Sequence, residues 1–256
     1  MKLNLKGKVV LISGSAKGIG RAIAKAFLEE DAKVVLTDYD EISLKSTLND
    51  FVSKYGEDHV ISFCGDMLNQ VVIDKCVEFT RNNWGALNIL VPNIGSGKSI
   101  PTIEAPRNEW EKMFNINLFS AIDLVRSFLP LLKKNNDSSI LFISSITGME
   151  ATTAPLTYAA AKSSLISVNK NLSKELAKFN IRVNTIAPGN IYFTGGRWEE
   201  IIKEKPHIVK DVIEKEVPLK RFGTPEEIGH AAVFLCSEKS SFTTGSCFVI
   251  DGGQTH

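Results

Sequence analysis

Residues 9–27, VVLISGSAKGIGRAIAKAF, decide how the rest of the chain is interpreted. A short β-branched apolar run is followed by Gly14, Gly18 and Gly20 and then by an amphipathic helical pattern. Glycines at such a junction allow a tight turn, close approach of the backbone to a diphosphate, and close packing of helix on strand. Unpaired N–H groups at the start of the helix can bind the phosphates. The residues of this glycine turn that we expect to hold a dinucleotide are Gly14, Ser15, Lys17, Gly18, Ile19 and Gly20.

The same alternation of short apolar runs and longer helical patterns continues along the chain. Near-continuous apolar runs are typical of strands covered by helices on both faces. The predicted strands are 8–13, 33–38, 59–64, 87–92, 139–144, 181–186 and 247–252. The predicted helices are 19–30, 41–55, 68–83, 107–134, 155–179 and 225–237. The order predicts an α/β fold: one domain over residues 1–256, with a doubly wound parallel sheet of seven strands and helices on both faces.

One long segment, residues 189–224, interrupts this alternation. It is rich in glycine and in charged residues, and only parts of it have helical patterning. Insertions of this length in compact domains are usually lids or binding segments. We therefore expect residues 189–224 to be a substrate loop.

Composition excludes several classes of protein. Thirty basic and twenty-nine acidic residues leave a formal charge of +1 without a basic stripe, which argues against nucleic-acid binding. No apolar run approaches the roughly 20 residues that span a bilayer, and the amino terminus has no secretory signal pattern. The four cysteines and four histidines are dispersed, so neither a disulfide framework nor a metal site is expected. A cytoplasmic protein without a membrane partner is predicted.

Asp38, at the end of the second predicted strand, bears on the choice of dinucleotide. A carboxylate there can accept hydrogen bonds from both ribose hydroxyls of adenosine and would repel a 2′-phosphate. Lys17 could attract such a phosphate, but a flexible, solvated lysine should count for less than this carboxylate. The pattern favours NAD and makes NADP the less favoured cofactor, although a strand-end acid can also be merely solvated.

Further polar residues and glycines follow the third and fourth predicted strands. Ligands of open α/β sheets bind at the carboxyl ends of the strands. Asp66 could accept a hydrogen bond from the adenine amino group. Each of these residues is equally suited to a turn. The additional cofactor-binding residues expected here are Asp66, Met67, Asn93 and Gly95.

The sequence TYAAAKSS at 157–164 places Tyr158 and Lys162 four residues apart, and therefore on one face of a helix. A free phenol, with a pKa near ~10, is a poor base at neutral pH. An adjacent ammonium group favours the phenolate and would lower that pKa. The pair predicts a phenol that exchanges a proton with an alcohol, unless the two residues simply lie on an exposed helix face.

In order and spacing, these motifs resemble those of the short-chain dehydrogenase/reductase family. The matching motifs beyond the glycine turn and Asp66 are PNIG at 92–95, INL at 116–118, ISS at 143–145, Tyr158 and Lys162, APG at 187–189, RFGTPEEIG at 221–229 and VIDGG at 249–253. The resemblance covers essentially the whole chain. It is strongest to the branch of 3-oxoacyl carrier-protein reductases, hydroxysteroid dehydrogenases and polyol or sugar dehydrogenases. It implies a Rossmann-like fold and hydride transfer between a nicotinamide cofactor and a secondary alcohol or ketone.

The resemblance also implies a catalytic tetrad of Asn117, Ser145, Tyr158 and Lys162. The family spacing to the tyrosine selects Ser145 over Ser144. Ser145 would hydrogen-bond the substrate oxygen, and Asn117 would lie in a helix whose local bend accommodates a water linking Lys162 to solvent. Tyr158 and Lys162 would also contact the cofactor. The further cofactor residues implied are Pro188, Gly189 and Ile191, and pairing of helices near 107–134 and 155–179 implies a homotetramer or a dimer.

The chain departs from the family pattern at two places. PNIG lacks one of the two asparagines that usually precede the small residue and glycine. Phe193 stands where the family commonly has a threonine that holds the nicotinamide carboxamide, and Thr194 follows it. Either this loop is displaced by one residue, or backbone groups of Ile191 and its neighbours bind the carboxamide.

The expected pocket is polar, which suggests a polyol, a sugar or a hydroxy acid as substrate. Its candidate residues are Ser96, Lys98, Thr147, Glu150, Thr153, Asn190, Tyr192, Arg197 and Trp198. One alternative is an NADPH-dependent 3-oxoacyl carrier-protein reductase, which Asp38 disfavours. Another is a catalytically silent NAD-sensing protein, which the intact Ser-Tyr-Lys set disfavours.

Overall fold

The computed structural model describes residues 2–255, and these form a seven-stranded parallel sheet in the order β3-β2-β1-β4-β5-β6-β7. Parallel neighbours require crossover connections, and helices supply them. The strands are β1 (Val9–Ser13), β2 (Lys33–Asp38), β3 (Val60–Cys64), β4 (Ile89–Val91), β5 (Ser138–Ile143), β6 (Ile181–Pro188) and β7 (Cys247–Ile250). The predicted fold is confirmed, and every predicted strand is present.

The helices of the described residues are α1 (Gly18–Glu29), α2 (Glu41–Tyr55), α3 (Gln70–Trp84), α4 (Arg107–Phe114), α5 (Ser120–Leu132), α6 (Leu156–Leu176), α7 (Arg197–Glu204), α8 (Pro206–Asp211) and α9 (Pro225–Cys236). The predicted helix over 107–134 is present from Arg107 to Leu132, but an unpredicted π-helical turn, Asn115–Phe119, divides it into α4 and α5. The segment 189–224 contains α7, α8 and a second π-helical turn, Val212–Glu216.

The sequence determines where α9 begins. Thr224 and Glu227 form a capping box, and Pro225 occupies the first helical turn, where its missing N–H is not needed. The Glu227 carboxylate accepts a hydrogen bond from the Thr224 N–H at 2.8 Å and pairs with Arg221 at 2.7 Å. These hydrogen bonds, with Arg221 contributing most, lower the pKa of Glu227 to about 2.

The two faces of the sheet pack separate apolar clusters. Alternate residues of one strand point to opposite faces. Val10 and Ile12 therefore join the cluster beneath α1, α2 and α9, whereas Val9 and Leu11 join the cluster beneath α3, α5 and α6. Helices α1 and α9 are in close contact, because a Cβ on Gly229 would lie 2.8 Å from the carbonyl oxygen of Ala22.

Among residues 2–255, no helix is both long and apolar enough to span a membrane. The same residues contain no group of three or more histidine, cysteine, aspartate or glutamate side chains that could hold a metal ion.

Candidate active site

The glycine turn is fixed by its neighbours at the carboxyl ends of β1, β2 and β4. Gly14 and Gly18 have positive φ angles of 64° and 55°, which glycine adopts most readily. A Cβ on Gly20 would lie 2.2 Å from the carbonyl oxygen of Gly14, so only glycine allows α1 to pack this closely. The Asn93 side-chain amide donates to the carbonyl groups of Ser13 and Gly14, both at 3.0 Å.

Several predicted cofactor residues therefore support the turn with their side chains. The Asn93 side-chain amide already donates its hydrogen bonds to the Ser13 and Gly14 carbonyl groups. The buried Ser15 hydroxyl accepts a hydrogen bond from the Thr37 N–H at 2.9 Å. Met67 is 1% exposed and packs in the core, so only its backbone could contact a ligand. Asp66 is exposed and accepts a hydrogen bond from the Leu68 N–H at 3.0 Å.

Asp38 lies beside the glycine turn. One carboxylate oxygen accepts from the Ala16 N–H and the other from the Asp40 N–H, each at 3.1 Å. Lys17 turns to Asp40, with its Nζ 3.0 Å from a carboxylate oxygen. Hydrogen bonds from Ser43, and then from Lys17, lower the pKa of Asp40 to about 2. The positive charge of Lys17 is therefore balanced locally.

Asn117 lies in the π-helical turn between α4 and α5, and it is fully buried. Its side-chain amide donates to the carbonyl groups of Met113 at 3.0 Å and Ser96 at 3.1 Å. Its carbonyl oxygen accepts from the Ser96 N–H at 2.9 Å. The side chain thus binds a carbonyl of the preceding turn, an interaction that accompanies a π-bulge, and it anchors the loop after β4.

Lys162 is buried in α6 at 2% exposure, and its Nζ donates to the carbonyl oxygen of Ile143 at 2.9 Å. The Nζ atom lies 5.8 Å from the centre of the Tyr158 ring. Gly95 lies against the same group, because a Cβ there would be 2.9 Å from both the Lys162 Nζ and the Asn117 Oδ1. Burial lowers the pKa of Lys162 to about 8.

The pKa of Tyr158 does not shift as the sequence predicts. Burial raises it, and the Ser145 hydroxyl opposes that rise only in part. The expected lowering by Lys162 is not found in the protein alone, because desolvation of the phenolate dominates. The ammonium is directed to the Ile143 carbonyl.

The two adjacent serines after β5 have different surroundings. The Ser144 hydroxyl, 3% exposed, donates to the backbone carbonyl of Lys162 at 2.8 Å. The Ser145 hydroxyl accepts from the Thr147 N–H at 3.3 Å and lies beside Tyr158. Ser144 therefore fastens β5 to α6, and Ser145 is the serine next to the phenol.

The loop after β4 covers Tyr158, a role that the sequence analysis did not assign to it. The Ser99 and Thr157 hydroxyl oxygens are 2.8 Å apart, next to Tyr158 in the chain. A Cβ on Gly97 would lie 4.0 Å from the Tyr158 ring. The only sequence signal for this contact is the hydroxyl residue that precedes the tyrosine in TYAAAK.

Charged residues link this loop to α7. The Lys98 Nζ is 2.5 Å from one carboxylate oxygen of Glu200, and Arg197 is 3.1 Å from the other. These contacts, with Lys98 first, lower the pKa of Glu200. Trp198 and Tyr192 pack on Phe222, with ring centres 5.2 Å and 5.9 Å away. Several of the predicted pocket residues are thus brought together beside the Tyr158 loop.

Other predicted pocket residues are placed differently. The Asn190 amide donates to the Gln254 side chain at 2.8 Å, toward the carboxyl end of the chain. Thr153 and Glu150 are exposed. The Thr147 hydroxyl oxygen is buried and has no hydrogen-bond partner among residues 2–255.

The segment after β6 returns to the glycine turn. Pro188 ends β6, and a Cβ on Gly189 would lie 2.7 Å from Asp251. Ile191 pairs with Gly223 in a parallel bridge. The Phe193 ring lies against Gly18, whereas Thr194 is exposed. In this arrangement Phe193, not Thr194, faces the glycine turn.

Comparison with known proteins identifies the family. A family model described as Enoyl-(Acyl carrier protein) reductase matches residues 14–255. A 3-oxoacyl-(acyl-carrier-protein) reductase of Thermotoga maritima is 32% identical over 252 residues, which are 98% of this chain and 99% of that protein. The chain is a short-chain dehydrogenase/reductase.

Solved structures of this short-chain dehydrogenase/reductase family agree over nearly the whole chain. L-sorbose reductase from Gluconobacter frateurii, complexed with NADPH and L-sorbose, superposes with a TM-score of 0.93 at 31% identity, covering 99% of this chain and 98% of that one. A 7α-hydroxysteroid dehydrogenase complexed with NADH and a 7-oxo bile acid has a TM-score of 0.90 at 28% identity, covering 98% and 96%. The protein is accordingly an oxidoreductase that binds a nicotinamide cofactor.

The residues of this short-chain dehydrogenase/reductase fit such a cofactor. A Cβ on Gly20 or Gly95 would collide with a neighbour, so a side chain is excluded at both positions along the carboxyl edge of the sheet. The start of α1 offers N–H groups to a diphosphate, and Asp38 offers carboxylate oxygens near the ribose position.

Proposed function

We propose that this short-chain dehydrogenase/reductase interconverts a polar secondary alcohol and its ketone with NAD, using Tyr158 as the general acid/base. The observation that carries the proposal is the grouping of Tyr158, Lys162 and Ser145 beside Gly95. A bound oxidised nicotinamide accepts the hydride, and its positive charge favours the phenolate.

The chain's own residues account for the proton transfer. In the oxidative direction Tyr158 takes the hydroxyl proton, and in reduction it returns one. Ser145 donates a hydrogen bond to the substrate oxygen and stabilises its developing charge. The Lys162 ammonium stabilises the phenolate, which burial alone disfavours. Asn117 holds the loop of Gly95 and Ser96 against the site.

Replacing Tyr158 with Phe tests this mechanism. The variant should keep NADH binding, measured by cofactor fluorescence, and lose turnover by about 10²–10⁴-fold. Substrates would first be found by screening sugars, polyols, hydroxy acids and sterols with both cofactors. Tyr55→Phe is the matched control, because it removes a hydroxyl at the end of α2, where that hydroxyl donates to Glu29 at 3.5 Å. Turnover that survives in Tyr158→Phe contradicts the mechanism, and wild-type protein that binds NADH without turning over any substrate favours the NAD-sensing alternative.

The preference for NAD rests on Asp38 and on the pairing of Lys17 with Asp40. Asp38 would face a 2′-phosphate with negative charge, and Lys17 is already balanced by a carboxylate. Several similar solved structures hold NADPH or NADP and one holds NADH, so the preference for NAD is supported by this chain's own residues and not by the comparisons. Replacing Asp38 with Ser should raise the kcat/KM ratio of NADPH to NADH at least tenfold. Equal use of both cofactors by the wild-type protein contradicts the preference.

The side chains at the rim of the site lead us to propose a polyhydroxylated substrate. Lys98, Arg197 and Glu200 supply charged hydrogen-bonding groups, and the buried Thr147 hydroxyl has no partner among residues 2–255. The similarity to a sugar reductase supports this choice. Because these residues lie on 189–224 and on the loop after β4, we propose that 189–224 forms the substrate loop. A preference for bile acids or other sterols over sugars and polyols in the turnover assay would contradict the proposed substrate class.

A 3-oxoacyl carrier-protein substrate is the second candidate, because several relatives have that activity in their names. An acidic carrier protein would need a basic docking surface. Most basic side chains of 189–224 are instead paired with acids, among them Lys203 with Glu199 at 3.5 Å and Lys215 with Asp211 at 2.9 Å. The pairing favours a small polar substrate.

A further inference from the structure

The Phe193 ring fills the space in front of the glycine turn. A Cβ built on Gly18 would lie 2.5 Å, 2.6 Å and 2.9 Å from three atoms of the ring tip. Gly18 is the first residue of α1, where N–H groups are available to phosphate oxygens. The gap between Gly18 and the ring therefore has no room for a single added carbon atom.

The ring is also confined from behind. A Cβ on Gly196 would lie 2.8 Å from the same ring tip, so the ring is held between two glycines. Phe193 and Gly196 are the ends of a β-turn, in which the Gly196 N–H donates to the Phe193 carbonyl at 3.0 Å. Gly195, the third residue of this turn, has a φ of +80°, a conformation that favours glycine. The half-buried ring therefore packs on the backbone of both glycines.

The base of the segment is fixed by backbone hydrogen bonds. The Tyr192 N–H donates to the Gly223 carbonyl at 3.0 Å, and the Gly223 N–H donates to the Asn190 carbonyl at 2.9 Å. The Gly195 N–H donates to the Glu199 carboxylate at 2.9 Å, which joins the turn to α7. Movement of the ring is thus coupled to the start of α7.

We propose that Phe193 is a latch on the diphosphate end of the cofactor site. The ring and a diphosphate compete for the face of Gly18, so cofactor binding requires the Phe193 ring to leave that face. Only molecules in which the ring has moved away can then bind the cofactor. The apparent affinity and association rate are the intrinsic values multiplied by the fraction of such molecules. This inference rests on the nicotinamide cofactor, and it is independent of the substrate and of the proton-transfer chemistry.

Removing the ring tests the latch through cofactor binding alone. Phe193→Ala should raise the association rate of NADH, measured by stopped-flow fluorescence, and its affinity by about tenfold. The affinity for ADP-ribose, which carries the diphosphate without a nicotinamide, should rise by the same factor when measured by calorimetric titration. Adenosine, which has no phosphate, should bind both proteins within a factor of about two.

Phe222→Ala is the matched control, because Phe222 packs on Tyr192 and Trp198 of the same segment. It should leave NADH association within about twofold of the wild type. Phe193→Thr, with a smaller polar side chain, is the second variant if Phe193→Ala unfolds, and it should show the same gain. Unchanged NADH association in both Phe193 variants, weaker NADH binding, or an equal gain for adenosine would each overturn the latch. If the Phe193 variants bind NADH as expected but lose turnover, the result contradicts the proposed reaction and leaves the latch standing.

Discussion

Ser144 and Ser145 are neighbours in the chain, but their contacts assign them different tasks. Ser145→Ala should lower kcat by about 10²–10³-fold, because a hydrogen-bond donor to the substrate oxygen is lost. It should leave the melting temperature nearly unchanged. Ser144→Ala should keep most of the turnover and destabilise the protein by about 1 kcal/mol, because the buried bond to the Lys162 carbonyl is lost. Steady-state kinetics and thermal unfolding of both variants check the assignment, and the opposite pattern would make Ser144 the reacting serine.

The buried ammonium of Lys162 should cost stability. Its pKa falls from 10.5 to about 8 through burial, so the unfolded chain holds the proton more tightly than the folded protein does. The cost is fully present below about pH 8 and disappears as the pH rises toward 10.5. Lys162→Met should therefore be inactive but more stable at pH 7, by on the order of 2 kcal/mol.

Urea unfolding at pH 7 and at pH 9.5 measures this difference. The gap in unfolding free energy between Lys162→Met and the wild type should shrink at the higher pH. A variant that is less stable than the wild type at pH 7 would mean that the Ile143 hydrogen bond outweighs desolvation of the charge.

At the scale of elements, the sequence identified strands and helices well but missed the division of 107–134. Apolar periodicity continues across the π-helical turn, so nothing in the local pattern marks it. The division depends on Asn117, whose partners include Ser96 in a distant loop. A bond between such distant parts of the chain is invisible to periodicity. The family resemblance alone suggested a local bend there.

Helices α1 and α9 approach each other closely at Gly229, which gives a second prediction at this scale. Gly229→Ala should destabilise the protein by about 1–2 kcal/mol, because the new methyl group meets the backbone of Ala22 at 2.8 Å. That clash exceeds the gain of up to ~1 kcal/mol in helix propensity. His230→Ala, at the next and exposed position, is the control and should be neutral or slightly stabilising. Denaturant titration of both variants measures their free energies of unfolding. A Gly229→Ala variant as stable as the His230→Ala control would show that α1 and α9 can separate freely.

At the scale of the whole molecule, the aromatic face of α4 and of the π-helical turn that follows it is an expected site of assembly. Trp110, Phe114 and Phe119 line a groove of ≈ 560 Å³, and Phe119 is 47% exposed. We propose that this face pairs with a second copy, as expected for a homotetramer or dimer. Phe119→Glu should give smaller species in sedimentation velocity, whereas Ile42→Glu, on exposed α2, should not. A wild-type protein that sediments as a 28.1 kDa monomer would remove the proposal.

Fold and site differ in how much the sequence could predict. The strands, the helices and the parallel α/β class follow from apolar runs and glycine positions, which are local properties, whereas the order of the strands was not predicted. The positions of Tyr158 and Lys162 follow from helical spacing. The pKa of Tyr158 and the place of the Phe193 ring depend on burial and on contacts between distant segments. Such properties need coordinates, although the replacement of the family threonine by Phe193 had marked that loop as unusual.

The separate apolar clusters on the two faces of the sheet have a practical consequence. The glycine turn opens α1 on one face, whereas Lys162 lies in α6 on the other. A directed-evolution library confined to the interior beneath α2 and α9 should alter how firmly nucleotides are held while leaving the chemical step intact. A library beneath α3 and α5 should do the reverse, so the two traits can be optimised separately and then combined.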